Sequence, residues 1–103
     1  MVKLMRAAAL ALSYLGMMSS AFAEGDAEYG QYLSSECVTC HQSGAAGSIP
    51  AIKGMNEQSL ISLMKLYRSK ELENPTMQTV AKRLSDEDIA ALAAYFSTLD
   101  PPD

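Results

Sequence analysis

The chain has 103 residues, 49% hydrophobic and 19% charged, with eight basic against twelve acidic side chains and a formal charge of −4. That balance excludes a nucleic-acid role, which needs a Lys/Arg surface to neutralise phosphates. The length bounds the chain to one small domain, and chains near this size often need a disulfide, a metal or another staple to be stable.

Residues 1–23 read as an export signal. Lys3 and Arg6 precede an apolar run from Ala7 to Met18, and Ala21-Phe22-Ala23 supplies a small-x-small cleavage pattern. The run is shorter than the roughly 20 residues that span a bilayer, so cleavage after Ala23 is expected rather than a membrane anchor. The mature domain is then residues 24–103, located in the periplasm and not membrane-spanning. Lys3 and Arg6 leave with the signal, so six basic residues face twelve acidic ones, a charge of −6.

The first predicted helix runs from Ala27 to Cys40, with Gly30, Leu33 and Cys37 on one face. A loop from Gln42 to Gly54 follows, marked by Gly44, Gly47 and Pro50. The second helix starts after Asn56, a good N-cap, aligns Leu60, Leu63, Met64 and Tyr67, and fades by Lys70. A polar loop, Glu71 to Pro75, leads to Met77 and a helical turn over Gln78 to Arg83. In the last helix Ser85-x-x-Asp88 resembles a capping box, Ile89, Leu92, Ala93 and Phe96 form an apolar stripe, and Pro101-Pro102 closes it. No segment alternates as a strand does, so the domain is expected to be all-α, with three main helices.

The chain's two cysteines sit in Cys37-Val38-Thr39-Cys40-His41, and C-x-x-C-H is the signature of covalent c-type haem attachment. Positions i, i+3 and i+4 share a helical face, so both sulfurs reach one porphyrin while His41, the only histidine, rises to its iron. A redox dithiol would sit at a helix N-terminus within a βαβ pattern, and a closed zinc site wants four ligands where this chain offers three. One haem is therefore expected, and a large apolar cofactor would also be the staple so small a domain needs.

A second axial ligand must come from a thioether or a lysine, and the mature methionines are Met55, Met64 and Met77. Met64 lies mid-helix on an apolar face, and Met55 lies close to the His41 side. Position favours Met77, because the chain between it and the second helix is long enough to wrap around the ring. Thioether ligation raises the reduction potential and suits electron transfer. The other ring nitrogen of His41 needs a hydrogen-bond acceptor. Pro50 is a candidate through its carbonyl, unless it only turns the chain. Gly30 leaves room for another helix, with Leu92, Tyr95 and Phe96 as the expected partner face near the haem. Asp86, Glu87 and Asp88 suit the first turn of a helix. Lys82 and Arg83 form either a docking spot or a solvated face.

Taken together, the sequence resembles the class I c-type cytochromes, especially short bacterial periplasmic members and single-haem halves of two-haem ones. The resemblance rests on Gly25-Asp26-Ala27-x-x-Gly30, the haem motif, Ile49-Pro50-x-Ile52-x-Gly54, the Met77 segment and Leu84 to Phe96. It implies haem c on Cys37 and Cys40, His41 and Met77 on the iron, and the Pro50 carbonyl on the His41 ring. Many members have Pro shortly after the distal Met. Here Gln78 and Thr79 follow it and Pro75 precedes it.

The implied function is electron transfer between redox protein partners rather than catalysis, through a small, transient interface at the haem edge. The run from Leu63 to Lys70 is also similar to the haem subunit of flavocytochrome c sulfide dehydrogenases. A fixed subunit taking electrons from a flavoprotein is thus the alternative to a free carrier. A ligand-binding or peroxidatic haem is a third reading.

Overall fold

The computed structural model describes residues 25–42 and 49–102. The segment expected to be an export signal, Glu24, Gly44 and Gly47 lie outside the described residues. Five α-helices and no strand occur among the described residues: α1 Ala27–Leu33, α2 Ser35–Cys40, α3 Glu57–Arg68, α4 Pro75–Lys82 and α5 Asp86–Ser97. The architecture is the all-α one expected. Two local expectations need correction.

The first helix does not run unbroken to Cys40. It bends at Ser34, which caps the end of α1 and starts α2. The Ser34 side chain is buried and its Oγ donates to the Gln31 carbonyl at 2.7 Å, while its own N–H reaches the same oxygen at 3.2 Å. A hydroxyl that takes a carbonyl from the helix ladder is a known cause of such bends. The second correction concerns α4, which is two turns rather than one and starts at Pro75, so Met77 lies inside the helix. Asn74 supplies the N-cap, its Oδ1 accepting the Met77 N–H at 3.0 Å, and Pro75 fills the first helical position, where no N–H is needed.

Helix α5 is the centre of the molecule. Ile89, Ala93 and Phe96 are almost wholly buried and pack with Ile52, Leu60, Met64, Ala81 and Leu92 in one core. Its start is fixed by a capping box: Ser85 Oγ accepts the Asp88 N–H at 3.1 Å, and Asp88 Oδ2 accepts the Ser85 N–H at 3.0 Å. Helices α1 and α3 both pack on it. Gly30 makes the α1 crossing possible, since a Cβ there would lie 1.9 Å from the Ala91 carbonyl oxygen and 2.8 Å from Tyr95 Cβ. At the other end Gly54 adopts φ +76°, a left-handed conformation open to glycine, and its N–H donates to the Phe96 carbonyl at 2.9 Å. Lys82 and Arg83 are exposed, with Arg83 3.5 Å from Glu36.

Candidate haem site

The backbone of α2 comes close only to α1 and that of α4 only to α3, yet residues of both line one cavity. Its volume is about 420 Å³. Cys37 and Cys40 come from α2 and His41 from its C-cap. Pro50 and Ile52 come from the following segment, Leu92 and Phe96 from α5. Met77 is brought in by α4 together with Asn74 and Thr76. No Asp, Glu, Lys or Arg lines the cavity.

The geometry at His41 is specific. Its Nδ1–H donates to the Pro50 carbonyl at 2.7 Å, and its backbone N–H holds the Cys37 carbonyl at 2.8 Å. Because a carbonyl only accepts, the proton sits on Nδ1 and the Nε2 lone pair is left free for a metal. Cys37 is half-buried, and burial, with the neighbouring Glu36 carboxylate adding to it, pushes its thiol above the ordinary range. A reactive dithiol needs the opposite shift. Cys40 is exposed, and the two sulfurs are not bridged. Among the described residues no three His, Cys, Asp or Glu side chains are gathered around a common metal position.

The cavity gathers Met55, Met64 and Met77. Met64 is largely enclosed by the core, whereas Met55 and Met77 are only half-buried. Gly30 and Tyr95, expected as a helix contact near the haem, do meet at the α1–α5 crossing, but neither lines the cavity. Asn74 and Thr76 do line it and were missed, although Asn-Pro is a readable helix start. The cavity suits a porphyrin: an apolar, uncharged pocket, with two thiols and an imidazole at Cys37, Cys40 and His41, within four residues of one another. No helix among the described residues is long and apolar enough to cross a membrane.

The cytochrome c family model matches residues 27–100, from the first turn of α1 past the end of α5. Among curated proteins the chain is 39% identical over 80 residues to cytochrome c-554(548) of Halomonas halodenitrificans, covering 72% of this chain and 96% of that one. It is 37% identical over 67 residues to cytochrome c-553 of Helicobacter pylori, covering 61% and 70%. A protein named thiosulfate dehydrogenase electron acceptor, from Thiomonas intermedia, is 33% identical over 69 residues, covering 63% of this chain and 32% of that longer one. Because the match extends through every helix and not the cysteine motif alone, the chain belongs to the cytochrome c family of haem electron carriers, with haem c held covalently.

Proposed function

We propose that residues 1–23 direct export and are removed, and that residues 24–103 form a periplasmic domain carrying one haem c. Cys37 and Cys40 would form its thioethers, His41 and Met77 would ligate its iron, and the domain would pass single electrons between redox proteins. The haem, when bound, supplies a one-electron iron couple. The observation that carries the reading is the His41 Nδ1–H bond to Pro50, which fixes the ring and presents Nε2 to the cavity.

The chain's own groups do the rest. The cysteine sulfurs hold the macrocycle against loss and keep the imidazole at high local concentration. The Pro50 carbonyl makes His41 a stronger donor and prevents the ring from rotating. Met77 adds a soft neutral sulfur that favours the reduced state. The uncharged walls exclude water from the ring faces, which further disfavours the more positive ferric state.

The relatives named as electron acceptors of thiosulfate dehydrogenase support a protein donor for this chain as well. A diffusible carrier purifies alone, whereas a fixed subunit of a flavoprotein dehydrogenase would co-purify at high salt with a flavin-containing partner.

Absorption spectra of oxidised and reduced holoprotein test the ligands. Wild type should show the near-infrared thioether-to-ferric-iron band, and Met77→Ala should lose it and bind carbon monoxide when reduced. A high-spin wild-type spectrum without that band would sink the His41/Met77 assignment. The mass of the purified protein should equal residues 24–103 plus a single haem.

A further inference from the structure

We infer that Asn74 is the positioning residue that governs how readily Met77 leaves the iron, an inference that rests on Met77 being the sixth ligand. The first N–H groups of a helix have no partner within it. At α4 the Met77 N–H is one of these, and the Asn74 carboxamide oxygen accepts it at 3.0 Å. Asn74 therefore grips the backbone of the ligand residue itself, from a position on the cavity wall. The next residue is held as well, since the Gln78 N–H reaches the Asn74 carbonyl at 2.8 Å and Gln78 Nε2 donates to the Leu72 carbonyl at 2.8 Å.

For the Met77 sulfur to withdraw, the first turn of α4 has to swing out. Its backbone comes close to one other helix, α3, and its buried anchor, Ala81, lies in the second turn, away from Met77; the helix has eight residues. A helix so short has little stability of its own, and its cap is a large part of it. Opening breaks the bond to Asn74, so the cap sets how often the Met77 sulfur is withdrawn. The same cap replaces the bracing that a proline after the ligand would give, because here Pro75 precedes Met77 and Gln78 follows it.

The test is the rate at which imidazole replaces the thioether on the ferric holoprotein, followed by loss of the near-infrared band. Asn74→Ala should raise that rate about five-fold, equivalent to ~1 kcal/mol at about 1.4 kcal/mol per factor of ten. Asn74→Gln, which keeps the amide but displaces the acceptor, should do the same. Asn74→Asp keeps the acceptor and removes the N–H donor, and it should stay within about two-fold of wild type. Asn56→Ala deletes an equivalent cap at α3, where Asn56 Oδ1 accepts the Ser59 N–H at 3.0 Å, and should leave the rate unchanged. An unchanged rate in Asn74→Ala, an Asp variant as fast as Ala, or an equal rise in Asn56→Ala each overturns the inference. A wild type without the band fails earlier, at Met77 ligation itself.

Discussion

At Gly30 the backbone of α1 meets the backbone of α5, and a methyl group would be driven to within 1.9 Å of the Ala91 carbonyl oxygen. That oxygen cannot rotate away as a side chain could, so Gly30→Ala has to push the two helices apart. Overpacking of this kind costs about 3 kcal/mol, the upper part of its usual range. The expected result is a lower urea midpoint with an unchanged slope. The holoprotein's near-infrared band should survive in the folded fraction, because neither Gly30 nor Tyr95 lines the cavity. Loss of the band with little loss of stability would place Gly30 at the haem instead.

On the scale of the helix, the start of α5 is a junction for three elements. Asp88 accepts from the Ser85 N–H and, through Oδ1, from the Tyr29 hydroxyl of α1 at 2.8 Å. Those bonds, the Ser85 backbone first and Tyr29 second, hold its carboxyl below the usual carboxylate range. Asp86 is held low chiefly by its hydrogen bond to Arg68 of α3. Groups lowered in the folded state contribute stability above the ordinary carboxylate pKa, about 4, and lose it as the pH falls through their folded values. The Tyr29 hydroxyl is raised by the same Asp88 bond, so its contribution is present below about pH 10 and fades as the pH rises through its folded value. Melting temperature should therefore drop on the acid side, and Tyr29→Phe should flatten that drop. Ser85→Ala, which removes the side-chain half of the capping box, should cost about 1 kcal/mol by urea unfolding at neutral pH. An acid profile for Tyr29→Phe identical to wild type would show that the bond contributes nothing.

For the molecule as a whole, the cavity is the dominant fact. An enclosed void of about 420 Å³ would cost on the order of 10 kcal/mol at about 24 cal/mol per Å³, as much as the net stability of an ordinary domain. The opening to water relieves part of this but leaves apolar lining at Ile49, Met55, Leu63 and Met77 partly exposed. The core is thus complete only with the cofactor inside it. Cys37→Ser/Cys40→Ser, made without covalent haem, should show weak far-ultraviolet helicity and no cooperative thermal transition. A haem-free chain that melts sharply near the holoprotein's temperature would contradict this.

The cysteine motif, the all-α class and the caps at Asn56 and Ser85 are local properties, fixed by residues three or four apart, and so they were determined by the sequence alone. The bend at Ser34 was not, because Ser34 is a poor signal on its own and its hydroxyl takes the Gln31 carbonyl only where the chain is buried against its neighbours. The full extent of α4 was written in Asn74-Pro75, but its apolar stripe is too short to show a period. That Gly30 admits a neighbouring helix with Tyr95 in the contact was legible in the sequence; that this contact lies off the cavity lining was not, because it depends on how α1 packs on α5, a property of no single segment. Spacing supplied the imidazole and its candidate acceptor. Only the tertiary structure brought the Pro50 carbonyl within 2.7 Å of Nδ1 and set Met77 on the lining of the same cavity as His41, because those placements depend on how the chain closes around the space between them.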